Sequence, residues 1–152
     1  MQIIAKDTKK CYYVSMKYIS NSVQDTNKCA EMLAQRMNGG EIILLNGDLG
    51  AGKTTFTKAF AKALGVEGNV TSPTFTFMRE YNGKFPIYHF DMYRVSSEDE
   101  LYELGLNDYL ESDTGICLIE WNKFEDIAKP IININITRTG NDSRIIEIEG
   151  IE

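Results

Sequence analysis

A complete phosphate-binding loop is the feature that most constrains how this chain folds. Residues 47–54 read GDLGAGKT, which matches the P-loop pattern G-x-x-x-x-G-K-[ST] at every fixed position. The apolar residues 42–45 come directly before the loop, and a stretch with helical spacing follows it. Because a P-loop lies between a strand and a helix, both flanks support the match. The motif therefore predicts an α/β domain that binds a nucleoside triphosphate at the carboxyl end of a strand.

Each residue type in the loop has a chemical reason. Gly47, Gly50 and Gly52 let backbone N–H groups curl around phosphate oxygens, and the following helix points the positive end of its dipole at them. Lys53 adds a positive charge for the β- and γ-phosphates, and the Thr54 hydroxyl is a ligand for the Mg²⁺ that accompanies the nucleotide. The alternative, a glycine-rich turn that binds nothing, leaves the complete pattern and both of its flanks unexplained.

Length and composition predict one soluble domain. The chain has 152 residues, of which 43% are apolar and 25% are charged, and a chain of this size buries a single core. No apolar run approaches the roughly 20 residues that cross a bilayer, and no secretory segment opens the chain. Cys11, Cys29 and Cys117 are widely spaced, which favours reduced, buried thiols over a disulfide framework or a zinc site. We expect a cytoplasmic protein without a membrane segment.

The formal net charge of −6 limits how the chain can meet a nucleic acid. Proteins that grip nucleic acid on their own carry a clustered basic face, whereas the five arginines of this chain are scattered. If a nucleic acid is involved, we expect a partner protein to make most of the contacts.

The first 17 residues differ from the rest of the chain. Residues 1–17 are polar and weakly patterned, and Met16 offers an internal start. We interpret them as an N-terminal arm that is poorly ordered or lies outside the native frame, and residues 18–152 as the P-loop domain. Capping pairs predict helices that begin at Ser22 and Ser97. Helical spacing predicts a third helix after the P-loop, which ends at Gly65.

Turn and alternation signals predict the strands. Asn82-Gly83 separates residues 75–81 from residues 84–90 and predicts a hairpin, in which Pro86 indicates an edge position. Further strands are predicted over residues 116–119, 131–137 and 145–148. The expected fold is the three-layer α/β fold of P-loop NTPases, with a central, mostly parallel sheet and added antiparallel hairpins.

Two acidic residues end predicted strands and are candidates for catalysis. Asp91 follows the apolar run at residues 87–90, and Glu120 follows the run at residues 116–119. The carboxyl ends of strands in open α/β sheets face the ligand, and a P-loop enzyme needs an acid for its metal shell and a group that orients water or an acceptor. The alternative for either acid alone is a solvated carboxylate. Both being idle beside a complete P-loop is the weaker interpretation.

Four strings occur in an informative order and spacing. They are GDLGAGKTTFTKAFAKALG at residues 47–65, TSPTF at 71–75, YHFDMYR at 88–94 and LIEW at 118–121. Together they closely resemble the TsaE family, formerly called YjeE, and the resemblance covers about residues 18–148. It implies a small bacterial ATPase that works with the proteins TsaD and TsaB. That assembly attaches a threonylcarbamoyl group to the adenosine beside the anticodon of certain transfer RNAs.

The resemblance also implies the role within the assembly. An accessory subunit that binds and hydrolyses ATP with Mg²⁺ is implied, not the transferase itself. Such a subunit is slow alone, is stimulated by its partners, and meets tRNA only through the complex.

Carried over by position, the resemblance implies the site residues. Lys53, Asp91 and Glu120 are the implied catalytic residues, with Asp91 near the γ-phosphate. Thr54 and Glu120 are the implied ligands of Mg²⁺, directly or through water. The residues implied to bind the nucleotide are Gly47, Gly50, Ala51, Gly52, Lys53, Thr54 and Thr55, with Val23 near the adenine and Arg144 in contact with the nucleotide.

Several of these assignments have structural alternatives. Ser72 and Thr74 resemble a switch segment whose hydroxyls sense the γ-phosphate, or they cap an ordinary turn around Pro73. Next to Val23, Ser22 and Thr26 equally serve as helix caps. Arg144 equally serves as a solvated charge on a strand.

The remaining polar and aromatic residues of the motifs are open to two interpretations. For His89, the only histidine, a structural role in its strand is favoured over acid–base chemistry. Trp121 either packs inside the domain or forms part of a partner surface. Tyr93 and Arg94 either brace the site or contact TsaD.

Two other functions compete with a partner-dependent ATPase. A small-molecule P-loop kinase shares the phosphate cradle but needs an arginine-bearing lid that excludes water, and the arginines of this chain do not cluster in one segment. A nucleotide-gated binding module uses ATP only to stabilise the shape that docks on a partner. A Glu120→Ala variant separates this module from the ATPase. It should still dock but lose turnover if hydrolysis matters, and it should keep its biological activity if ATP is only a ligand.

Overall fold

The sheet is built around the strand that leads into the P-loop. The computed structural model describes residues 2–8, 11–73 and 76–151. Its strands are β1 (Gln2–Thr8), β2 (Cys11–Ser20), β3 (Ile42–Asn46), β4 (Met78–Asn82), β5 (Pro86–Asp91), β6 (Ile116–Glu120), β7 (Ile131–Arg138) and β8 (Arg144–Ile151). Its helices are α1 (Val23–Gln35), α2 (Lys53–Ala63), α3 (Glu98–Glu103) and a 3₁₀ helix (Leu106–Glu111).

The sheet has a parallel centre and antiparallel flanks. The strand order is β1-β2-β8-β7-β3-β6-β5-β4, and β7, β3, β6 and β5 run parallel to one another. The outer strands pair antiparallel, β4 with β5 on one side and β7, β8, β2 and β1 in succession on the other. This arrangement confirms the predicted fold class.

Alternate residues of β3 face two different helical layers. Ile43 and Leu45 are buried with residues of α1 and α2, such as Leu33 and Phe56. Ile42 points the other way, into a second cluster that includes Leu101 of α3. Since successive side chains of a strand point to opposite faces, the sheet is the middle of three layers, as predicted.

Helix α2 is anchored by aromatic side chains. Phe56 and Phe60 are fully buried and stack with ring centroids 6.4 Å apart. Burial of each ring contributes about 1.5–3 kcal/mol, so the first turns of α2, and the loop attached to them, sit on a fixed base. None of the helices in the described part of the chain is long and apolar enough to cross a membrane.

The hairpin around Asn82-Gly83 is present, but Pro86 does not lie at an edge. Strand β5 pairs with both β4 and β6, and the edge strand is β4. Pro86 is the first residue of β5, opposite Asn82. The first position of a strand tolerates a missing N–H group as an edge does, so the proline signal alone cannot distinguish the two positions.

The N-terminal segment takes part in the sheet. Strand β2 pairs antiparallel with β8, and this places Met16 opposite Ile148 and Tyr18 opposite Ile146. Met16 is buried in the main core cluster. The division between residues 17 and 18 that the sequence suggested therefore falls inside a strand. Its pairing partner lies more than 120 residues away, where local patterning gives no signal.

Candidate nucleotide site

The P-loop forms an open cradle at the N-terminus of α2. Gly50 and Gly52 have positive φ angles of 79° and 112°, a region that glycine enters without strain. Gly52 is the N-cap of α2, and no side chain caps the helix there. The free N–H groups of the first turn and the helix dipole make this end suited to an anion. The cradle thus fits the phosphates that the sequence predicted.

Strand register brings both candidate acids to this cradle. Leu45, at the end of β3, is opposite Glu120 in β6, and Glu120 is opposite Asp91 in β5. The three strands are parallel, so their carboxyl ends and side chains on one face meet beside the P-loop. Glu120 is buried, whereas Asp91 is half-buried and accepts a hydrogen bond from the backbone N–H of Tyr93 at 3.0 Å.

Lys53 is desolvated between these acids and an indole ring. Only 7% of the residue is exposed, and its Nζ lies 3.9 Å from the ring centroid of Trp121. Burial lowers the pKa of Lys53, while attraction to Glu120, Asp91 and Asp48 acts in the opposite direction. In such a buried site the effective dielectric constant is low, so the attraction between an ammonium group and a phosphate is stronger than in water.

Trp121 holds a strained backbone position beside the acids. Its φ angle is +54°, which costs of the order of 1–3 kcal/mol for a residue other than glycine. The ring packs edge-to-face on Tyr93, with centroids 5.1 Å apart. The sequence left open whether Trp121 packs inside the domain or forms part of a partner surface, and the structure shows that it contacts the P-loop lysine.

A small cavity of about 130 Å³ lies beside Trp121. The residues that line it are Leu49, Pro73, Phe77, Asp91, Tyr93, Arg94 and Trp121.

His89 forms a direct contact with Glu120 that the sequence did not reveal. Its Nε2 lies 2.6 Å from Oε2 of Glu120, and the two side chains are 1% and 5% exposed. His89 precedes Asp91 by two residues, so the two side chains share one face of β5. This two-residue spacing was the signal available in the sequence, because it places the histidine on the same face of the strand as Asp91 and further from the strand end.

Val23 and Thr55, two of the residues predicted to contact the nucleotide, line a common cleft. The cleft lies between α1 and α2 and has a volume of about 640 Å³. Val23 is exposed. The structure therefore places Val23, the residue implied to lie near the adenine, on the same cleft as the residue that follows the P-loop.

Arg144 contacts the P-loop itself. Its Nε donates to the carbonyl oxygen of Ala51 at 2.7 Å. Its other contacts are with the turn before β8, where one terminal nitrogen donates to the carbonyl oxygens of Gly140, Asn141 and Ser143. The side chain is neither a freely solvated strand charge nor directed only at a ligand, because it joins β8 to the loop that precedes α2.

The predicted switch segment is only partly described. Thr74 lies outside the described residues. Ser72 is half-buried and lies between Thr71 and Pro73, which lines the small cavity at Asp91. Thr71 is held against β4, because its N–H donates to the Tyr81 hydroxyl at 3.0 Å.

The donor set fits a magnesium ion that is held mainly by a nucleotide. The Thr54 hydroxyl and the carboxylates of Glu120 and Asp91 are hard oxygen ligands of the kind that Mg²⁺ prefers. Within residues 2–8, 11–73 and 76–151, no group of three or more acidic, histidine or cysteine side chains could hold a metal ion by itself. Mg²⁺ often takes one or two protein ligands and completes its shell with phosphate oxygens and water.

A model of one protein family matches the chain over residues 20–146, and that family is described as threonylcarbamoyl adenosine biosynthesis protein TsaE. The chain belongs to the TsaE family. The matched span includes the P-loop, both acids, His89 and Arg144, so every residue of the site described above falls within the family domain.

Individual relatives agree with this assignment. The tRNA threonylcarbamoyladenosine biosynthesis protein TsaE of Bacillus subtilis is 42% identical over 139 residues, which cover 90% of this chain and 86% of the relative. The protein of the same name from Haemophilus influenzae is 52% identical over 113 residues, covering 70% and 68% of the two chains. A crystal structure of Bacillus subtilis YdiB superposes with a TM-score of 0.72 at 36% identity and covers 91% of this chain and 86% of that one.

Proposed function

We propose that this TsaE family member binds and hydrolyses ATP with Mg²⁺ as an accessory subunit of tRNA threonylcarbamoyladenosine synthesis, acting in the cytoplasm with TsaD and TsaB. The observation that carries the proposal is the meeting of the P-loop, Lys53, Glu120 and Asp91 at one edge of the sheet. Relatives that share most of the chain are named for the same modification.

The residues of the site divide the chemistry among them. The P-loop and the uncapped end of α2 bind the phosphates, and Lys53 adds charge where negative charge develops during transfer. Thr54 and Glu120 would hold Mg²⁺, which would supply positive charge to the phosphates of the nucleotide. Asp91, which is half-buried beside the small cavity, accepts a hydrogen bond from the water that attacks the γ-phosphorus and orients it.

The surface around the site supports dependence on a partner. Leu49 of the P-loop is 75% exposed and Tyr93 is 57% exposed, and both line the cavity that contains Asp91. Exposed apolar side chains that rim a polar site are typical of protein interfaces. A partner that covers them excludes water and completes the site, so we expect slow hydrolysis by the isolated chain. The net charge of −6 makes contact with tRNA through the partners more favourable than direct contact.

The test is steady-state ATP hydrolysis by the purified chain, alone and with TsaD, TsaB and tRNA from the same organism. We expect hydrolysis to rise at least tenfold with the partners, and to be lost in Lys53→Ala and Glu120→Ala. Lys84→Ala and Glu103→Ala are matched controls, because both residues are exposed and lie outside the site. Their rates should equal the wild-type rate.

Three results would point elsewhere. Phosphorylation of a small metabolite that is independent of the partners would favour the kinase. Full support of tRNA modification by a Glu120→Ala variant that cannot hydrolyse ATP would favour the nucleotide-gated binding module. Equal loss of activity in the exposed controls would assign the effect to folding.

A further inference from the structure

The buried contact between His89 and Glu120 has no counterpart elsewhere in the described residues. His89 is the only histidine of the chain, and the side chains of His89 and Glu120 are 1% and 5% exposed. In the parallel pairing of β5 with β6, His89 is opposite Leu118 while Asp91 is opposite Glu120. His89 therefore lies behind Glu120, on the side away from the strand ends where the P-loop begins.

The geometry defines which nitrogen acts. Nε2 lies 2.6 Å from Oε2 of Glu120, whereas Nδ1 is buried with no hydrogen-bond partner among the described residues. A proton on Nδ1 would be a buried donor without an acceptor, which is costly, while an unprotonated Nδ1 leaves only an unused lone pair. The ring therefore carries its proton on Nε2 and donates it to Glu120.

This donor occupies one of the two carboxylate oxygens. With Oε2 held from behind, the other oxygen is left for the phosphate end of the site. An unrestrained Glu120 would be attracted to Lys53, since the charge of Glu120 acts to raise the pKa of Lys53. Groups that hold a metal-binding side chain in this way fix its direction, and their loss typically weakens metal binding or activity by about 10–100-fold.

We propose that His89 is a positioning residue that donates from Nε2 to Glu120 and thereby directs the other carboxylate oxygen toward the Mg²⁺ of the bound nucleotide. The proposal rests on the proposed function, because it takes Glu120 as the metal-binding acid. It assigns His89 no proton transfer to or from substrate.

The main test is a cycle of variants that is read by metal-dependent binding. A fluorescent ATP analogue is titrated into each protein at a series of Mg²⁺ concentrations. We expect His89→Leu to raise the Mg²⁺ concentration for half-maximal tight binding by about 10–100-fold. His89→Gln keeps a donor near the position of Nε2 and should restore the wild-type value to within about threefold. In a Glu120→Ala background, His89→Leu should have no further effect, because the two residues act as a unit.

A stability control separates positioning from folding. Ile87→Val removes one buried methyl group from the same face of β5 and should leave the Mg²⁺ dependence unchanged. The proposal is overturned if Ile87→Val reproduces the His89→Leu effect, if His89→Leu has none, if His89→Gln fails to restore the value, or if the effects of His89→Leu and Glu120→Ala add.

A spectroscopic measurement tests the contact without any turnover. His89 is the only histidine, so ¹⁵N labelling of histidine gives one imidazole to assign. We expect a protonated Nε2 that loses its hydrogen-bonded shift in Glu120→Ala, and a ring protonated only on Nδ1 would refute the proposal. If the wild type binds the nucleotide with Mg²⁺ but never hydrolyses it, the proposed function fails while both measurements still decide the role of His89.

Discussion

Replacement of Arg144 by methionine tests whether this arginine acts on the nucleotide or on the P-loop. The family resemblance implied a nucleotide contact, whereas in the structure Nε donates to the carbonyl oxygen of Ala51 at 2.7 Å. Ala51 precedes Gly52, the N-cap of α2. Its carbonyl group therefore lies outside the hydrogen-bond ladder of the helix and depends on Arg144.

The magnitude follows from that single bond. A hydrogen bond to a charged group contributes about 1.5–3 kcal/mol, and Arg144 is half-buried, so we take the lower half of the range. Methionine keeps most of the aliphatic stem and removes the donors. If the loss acts on the conformation of the P-loop, about 1.5–2.2 kcal/mol, at 1.4 kcal/mol for each factor of ten, predicts about 10–40-fold weaker binding of ATP.

The assay is calorimetric titration with ATP, GTP and inorganic triphosphate. If Arg144 acts by holding the P-loop, it affects every ligand that binds through its phosphates. The dissociation constant should therefore rise by the same factor for all three ligands. Arg138→Met is the matched control, because Arg138 is opposite Arg144 in the β7–β8 pairing and donates to Gly140 and Asn141 of the same turn. Arg138 and Ala51 line one cavity but share no hydrogen bond, so if the bond to Ala51 supports the site, the Arg138→Met variant should bind ATP as the wild type does.

Two outcomes would refute this reasoning. A loss confined to ATP, with triphosphate binding intact, would show that Arg144 acts on the nucleoside. An equal loss in Arg138→Met would show that the turn at residues 139–143, not the bond to Ala51, supports the site.

Three further predictions follow from the loop and its lysine. Lys53→Met should raise the free energy of unfolding at pH 7 although it abolishes ATP binding. Because the pKa of Lys53 is lowered in the folded state, the unfolded wild type binds more protons than the folded one at any pH between the folded pKa and 10.5. The free energy of unfolding of the wild type therefore increases as the pH rises through this range. Denaturation at several pH values should show that the stability difference between Lys53→Met and the wild type becomes smaller over the same range. Gly47→Ala should lower the free energy of unfolding by about 1–3 kcal/mol through overpacking, because the new Cβ would lie 2.8 Å from the carbonyl oxygen of Ile136. Urea denaturation measures this loss. Gly140→Ala is the control and should cost less, because its Cβ would meet only the Ser143 side chain, at 3.6 Å. ATP should change the fluorescence of Trp121, the only tryptophan, by drawing Lys53 off its ring, and the change should be absent in Lys53→Met.

The elements that the sequence predicted are those whose signals are local. The P-loop predicted both β3 and α2, because its pattern includes the strand and the helix around it. Asn82-Gly83 announced the β4–β5 hairpin for a similar reason, since the turn itself requires those residues. Asp91 and Glu120 were found because each ends an apolar run, and the rule that ligands lie at strand ends needs no knowledge of strand order.

What the sequence did not give depends on contacts between distant segments. The pairing of β2 with β8 joins residues such as Tyr18 and Ile146, and nothing near Tyr18 specifies that partner. The bond from Arg144 to Ala51 and the contact of His89 with Glu120 depend on strand order and register in the same way. The positive φ angle of Trp121 has no sequence signal, because glycine, not tryptophan, is the residue expected there.

Two features of the site are unfavourable for folding. Lys53 is buried at a cost that lowers its pKa, and Trp121 is held in the left-handed region. These costs of the order of a few kcal/mol are tolerated because the apolar sheet and α2 hold the site rigidly. An incoming triphosphate meets a desolvated ammonium group and a carboxylate that is already oriented, so little reorganisation remains when it binds. The ammonium group that is costly to bury in the folded chain is thus the group that a bound phosphate stabilises.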